Sequence, residues 1–194
     1  MEGWERRPFS ASVEAGPRPG DHRDCHERIV AHEEPGAPTA TGPYRRLAAA
    51  ILGFRVFPPR MVTGVLRRAP VEVGDTLGVC YHAAPGLALF FAARVIARFD
   101  GPANGVWRTG FTYRTLEGHP ECGEETFSVE KDMATGRIVV ALRSWSRPGI
   151  FLARAFAPLI RQLQLQAGRA ALDHLGHMAR EAAPKRRDAY GCLR

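Results

Sequence analysis

The stretch "GHPECGEE", residues 118–125, sets His119 close to Glu121, Glu124 and Glu125, with Tyr113 just upstream. An imidazole and a carboxyl that converge could pass a proton to and from a bound molecule, and a phenol could donate a hydrogen bond beside them. That chemistry needs the groups on one side of a framework. The flanking runs, "VWRTGFTYRTL" and "EETFSVEKD", alternate as β-strands, and Gly118, Pro120 and Gly123 supply turn geometry between them. On the second strand Glu125, Phe127 and Val129 share a face, while Glu124, Thr126, Ser128 and Glu130 share the other. The Phe–Val face is the core candidate, so Glu125 is expected to point inward.

An inward carboxylate needs a partner, because an unpaired buried charge is costly. Arg94 in "FFAARVIARF" and Arg143 in "VVALRSWS" stand among apolar residues and are the expected partners. A bidentate arginine pair would suit a half-buried site. Two readings follow. In one, Glu125 anchors its strand through an arginine, and His119 only shapes the loop. In the other, Glu125, His119 and Tyr113 are candidate catalytic groups, or Arg94, Tyr113, Glu125, Arg143 and Phe127 hold a ligand. Desolvation would raise the pKa of Glu125 and a nearby arginine would lower it, and the sequence leaves that balance open.

Other clusters carry less. Cys25, Cys80, Cys122 and Cys192 lie far apart without a CxxC, which points to free thiols in a reducing compartment. Neither Cys25–His26 nor the scattered trio His82, His119 and Glu121 makes a metal motif, so no metal and no cofactor is expected. No GxSxG, HExxH, P-loop or dinucleotide fingerprint is present. His174 and His177, beside Asp173, are expected at a solvated helix surface. Gln162, Gln164 and Gln166 spread around a helix, so at most one or two could face a ligand.

The elements that must position these groups come next. The 194 residues are 45% apolar, enough for one domain with a real core. No apolar run is long enough to span a bilayer, and the start lacks a signal-like stretch, so a cytoplasmic protein is expected. The net charge of +7 forms no basic stripe with interleaved aromatics, which argues against sequence-specific nucleic-acid binding. Residues 1–42 are rich in proline, glycine and charge and read as a flexible N-terminal arm. Residues 43–178 read as one α+β domain, and 179–194 as a basic flexible tail.

Within the domain, Thr41 as cap and Pro43 in the first turn open a helix carrying Leu47, Ala50, Ile51 and Phe54. Five or six antiparallel strands follow. Ser146 as cap and Pro148 in the first turn would then open a long helix. Its apolar positions are Ile150, Leu152, Phe156, Leu159, Leu163, Ala167, Ala170, Leu175 and Met178, with Pro158 as a kink or a restart. A curved antiparallel sheet gripping this helix is the expected fold, helix-grip-like in the manner of START and Bet v 1-type proteins, with a hot-dog-like fold as alternative. A sheet closing over a helix leaves a cavity for a ligand.

The strings "GFTYRTLEGHPECGEETF", "VGDTL", "ARVI", "SRPG" and "PLIRQLQ" resemble the DUF1990 (UPF0548) family over roughly residues 44–178. The resemblance implies a relative without implying an activity. The expected function is binding of an apolar or amphipathic small molecule in the cavity. The alternatives are an acid–base enzyme of cyclase, isomerase or hydrolase type in the same cavity, and a protein-interaction module using the two chain ends. The sequence leaves the oligomeric state open.

Overall fold

The computed structural model describes residues 1–10, 16–84, 86–149 and 157–181. Seven strands form one antiparallel sheet: β1 (His22–His32), β2 (Val62–Val65), β3 (Thr76–Ala84), β4 (Leu87–Ala103), β5 (Val106–Thr115), β6 (Glu121–Asp132) and β7 (Arg137–Pro148). Their spatial order is β1-β7-β6-β5-β4-β3-β2. Consecutive strands from β2 to β7 are hairpin neighbours, and β1 closes the far edge on β7. Register shifts at Ile29/Ala31, His82/Ala84 and Val95/Ala97 bend the strands that carry them, which helps the sheet curve.

Among the described residues three helices accompany the sheet: the short α1 (Glu2–Glu5), α2 (Pro43–Leu52) and the long α3 (Ala157–Arg180). α2 buries Leu47, Ala50 and Ile51 against β5 and β6, where Phe111, Phe127 and Val129 meet them. α3 lies across β1 and β7 and beside α2. Its 24 residues run about 36 Å at the usual helical rise. Because the long helix follows the last strand and is held against the β1–β7 edge, the arrangement is the helix-grip one rather than the hot-dog alternative. Among the described residues, no helix is long and apolar enough to cross a membrane.

The stretch 1–42 differs from the arm expected of it. His22–His32 is a full strand of the sheet, paired with β7 over its length. Its polar alternation hid it, because an edge strand flanked by proline and glycine shows little apolar period. The first ten residues also dock: Phe9 bridges to Leu116, Arg7 donates to the Glu117 carbonyl, and Trp4 meets Phe90 edge to face. Residues 182–194 of the expected basic tail lie outside the described residues, and α3 runs through Arg180.

Both expected caps are displaced. Gly42, not Thr41, is the N-cap of α2. The orphan N–H of Tyr44 donates instead to the Glu33 carboxylate at 2.9 Å. Ser146 and Pro148 belong to β7, and Pro158 stands in the first turn of α3, where its missing N–H costs nothing. The helical positions expected at Ile150, Leu152 and Phe156 lie outside the described residues.

Glu33 is also the partner of Lys131, whose side chain is fully buried; Nζ lies 2.9 Å from the carboxylate and donates to the Glu34 and Ala37 carbonyls. Burial pushes the Glu33 carboxyl up, but bonds from the Tyr44 N–H, Lys131 and the Thr39 N–H outweigh it and hold the pKa below the usual value. Glu33→Gln would leave the Lys131 charge uncompensated. The expected cost is about 3–5 kcal/mol by urea unfolding, with part recovered on adding Lys131→Met.

Candidate functional site

α3 is held differently at its two ends. Its C-terminal half packs, with Ala171, Leu172, Leu175 and Ala179 buried, and Arg46 of α2 donates to the Ala179 carbonyl at 3.0 Å. Its N-terminal half is tied by polar contacts. Arg161 forks onto Asp24 of β1, with one N···O distance of 2.6 Å, and Gln164 donates to Glu121 and to Ser146 Oγ. Between this half-helix and the sheet lies a cavity of about 260 Å³. Leu163, Gln164, Ala167 and Gly168 face it from α3, and exposed Leu89 stands among its lining. Gly168 is required by closeness: a Cβ there would come within 2.9 Å of the His26 ring on β1.

The opposite wall is aromatic, made by Phe54 and Phe57 after α2, Tyr81 of β3, Phe91 of β4 and Tyr113 of β5. Carboxyls gather on β6. Glu121, Gly123 and Glu125 share the inward parity of that strand, and all line the cavity. Glu125 faces Tyr113 as a direct cross-strand pair, and the Tyr113 hydroxyl donates to Glu125 Oε2 at 2.8 Å.

The electrostatics follow from enclosure. Desolvation is the largest influence on Glu125 and pushes its pKa up to about 7; the Tyr113 bond lowers it, while the charges of Glu121 and Asp24 raise it. Glu121 is pushed up to about 7 as well, again chiefly by desolvation, against bonds from Gln164 and Ser146 and the charge of Arg161. Asp24 stays below the usual range because Arg161 bonds it directly. Burial drives His119 down to about 4, so it is neutral at pH 7. Its Nδ1 accepts the Glu121 N–H at 3.0 Å, which puts the ring proton on Nε2. The ring stands edge-on to Phe91, centroids 4.4 Å apart. Gly118, at φ +91°, lets the loop turn that brings His119 inward.

The two arginines expected beside Glu125 are elsewhere. Arg94 donates to the Glu5 and Arg7 carbonyls and lies over the Phe9 ring. Arg143 pairs with Glu130 and Glu27. Both have the parity opposite to the inward residues of their strands, so each meets the outer face. Phe127 has the inward parity but is sealed in the core among Phe54, Phe57, Phe111 and Tyr113, rather than lining the cavity. Tyr113, His119 and Glu125 do line the same cavity. Of the other candidates, His82 bonds Thr63 Oγ1, Asp173 pairs with Arg28, and His177 meets Arg180, all away from the cavity.

The sequence reading missed Asp24, Arg161 and Phe91, and gave Glu121 only a place in a scattered metal trio. The parity that placed Glu125 extends two steps back to Glu121, and was a usable signal. Gln164 is the one glutamine of its trio that lines the cavity, as helical spacing requires.

A curved antiparallel sheet closed on one long C-terminal helix, with a cavity between, defines a helix-grip α+β protein. Two solved structures share the fold alone. A hypothetical protein, jhp0584, from Helicobacter pylori matches with a TM-score of 0.55 at 14% identity, covering 84% of this chain and 91% of that one. The KanY protein (ms6282) matches with a TM-score of 0.52 at 11% identity, covering 84% and 99%. Residues 7–174 match the family described as "Domain of unknown function (DUF1990)", and the chain belongs to that family. The match takes in β1, which the resemblance from residue 44 onward had left out. A UPF0548 protein of Dictyostelium discoideum is 28% identical over 128 residues, covering 62% of this chain. This chain spans 59% of that relative's length.

A carboxyl whose folded pKa is raised binds its proton in the native state where the unfolded chain has lost it. Stability therefore falls as pH rises from about 4.5 to about 7 for Glu125 and Glu121, and levels off above. His119 works in the opposite sense between about 4 and 6.5, so the comparison must isolate one group. Urea unfolding of the wild type against Glu125→Gln should show the wild type losing on the order of 2–3 kcal/mol relative to the variant across pH 4.5–7.5.

Proposed function

We propose that this protein binds a small apolar or amphipathic molecule in the cavity between the sheet and α3, within the cytoplasm. One observation carries the reading: the N-terminal half of α3 spans an aromatic-walled hollow that the described side chains do not fill. A helix serving only the core would pack there as tightly as its C-terminal half does. A volume of about 260 Å³ suits a compact organic molecule better than a long-chain lipid. The free thiols Cys25, Cys80 and Cys122 suit a reducing compartment.

A second reading, acid–base catalysis in the same cavity, draws on Glu121 and Glu125 near pKa 7 beside the Tyr113 hydroxyl. A proton donor and acceptor work best when poised near the working pH.

Incubating the full-length protein with a metabolite extract, then analysing what it retains by mass spectrometry, tests the first reading. The wild type should retain a discrete small molecule, and Ala167→Trp, which fills the cavity, should lose it. Equal retention by both would remove the cavity from the account. If the second reading holds, the wild type should return that molecule chemically altered, while Glu125→Gln returns it unchanged.

A further inference from the structure

The polar groups that face the cavity are unequally matched. β1 contributes Asp24 and His26, β6 contributes Glu121 and Glu125, the loop before β6 contributes His119, and β7 contributes Ser144 and Ser146. From α3 come Gln164, and Arg161 through its pairing with Asp24. Glu124 is also among the lining residues, but its carboxylate is bonded by Arg114 and by the Trp145 indole N–H. Arg161 is thus the one cation met on this side among the described residues, and Asp24 takes both prongs of its fork. Glu121 has neutral donors, Gln164 and Ser146. Glu125 has one donor, Tyr113, on Oε2, and among the described residues nothing donates to Oε1. His119 is neutral and offers only an Nε2–H.

A half-buried carboxyl with an unpartnered oxygen, facing a cavity walled by aromatic rings, is a receptor for positive charge. Ring faces attract a cation, and a carboxylate pairs with it. An anionic ligand would instead meet Glu121, Glu125 and Asp24 with no free cation among the described residues to compensate it.

We propose that the bound molecule carries a protonated amine, with its ammonium group paired to Glu125 in the field of Glu121 and its apolar body against Phe54, Phe57, Tyr81 and Phe91. The inference rests on the cavity being the binding site. Binding the cation draws Glu125 into its ionised form, so the molecule is held more tightly as pH rises through neutrality. Asp24 stays ionised with Arg161 and His119 stays neutral over that range, so neither reverses the trend.

Three probes with one apolar body and different heads separate the possibilities: cyclohexylmethylamine, cyclohexylmethanol and cyclohexanecarboxylate. Each is titrated into the full-length protein at pH 7.5, and the backbone NMR signals of Glu125 and Gly168 are followed. The amine should bind about tenfold more tightly than the alcohol, and the carboxylate most weakly. Glu125→Gln should abolish the amine's advantage over the alcohol. In the wild type, lowering the pH from 8 to 5.5 should weaken the amine several-fold and spare the alcohol, an arm that decides the matter even if the variant does not fold. Should the alcohol or carboxylate bind as tightly as the amine, or the preference survive Glu125→Gln, the amine assignment is overturned while the cavity reading stands. If none of the three shifts the signals, both fall together.

Discussion

Setting Glu125 opposite Tyr113 on the concave face of the sheet obliges the molecule to leave room around a carboxyl. The acid cannot be packed over by apolar side chains without a heavy desolvation cost, and no arginine lies beside it to neutralise it among the described residues. Its neighbours therefore stand back: aromatic rings on one wall, and on the other a half-helix tied to the sheet by Arg161 and Gln164. The hollow and the raised pKa have the same origin, enclosure without compensation.

β1 then acquires a meaning that its composition conceals. It is an edge strand whose inward residues, Asp24 and His26, meet α3 directly, one through Arg161 and the other beneath Gly168. Arg28 on the same strand pairs with Asp173 farther along the helix. The strand acts as a rail that sets the height of α3 above the sheet, and so the depth of the cavity. Exposed ion pairs contribute little each, but here they fix position more than they add stability.

The fold was legible where hydrophobic period was strong. The strands from Thr76 to about residue 145, and the apolar positions of α3 from Leu163 onward, carried their own signal. The inward turn of Glu125 followed from strand parity alone, because Phe127 and Val129 claimed the core face. Its partner was not legible, since Arg94 and Arg143 sit among apolar neighbours in sequence yet point to the other side of the sheet. β1 was missed because a polar edge strand has no period to read, and its value lies in contacts with residues more than a hundred positions away. The α2 cap failed for a similar reason: Glu33, just past the end of β1, serves the N-terminus of α2.

Carboxyl ¹³C NMR titration of the uniformly labelled full-length protein tests the central claim most directly. Two glutamate carboxyls, assigned to Glu121 and Glu125, should change ionisation near pH 7, well apart from the remaining acids. Titration of both at or below about 4.5, the range of a solvated glutamate, would mean that solvent or a cation compensates them, and the account of a desolvated, uncompensated acid would be wrong.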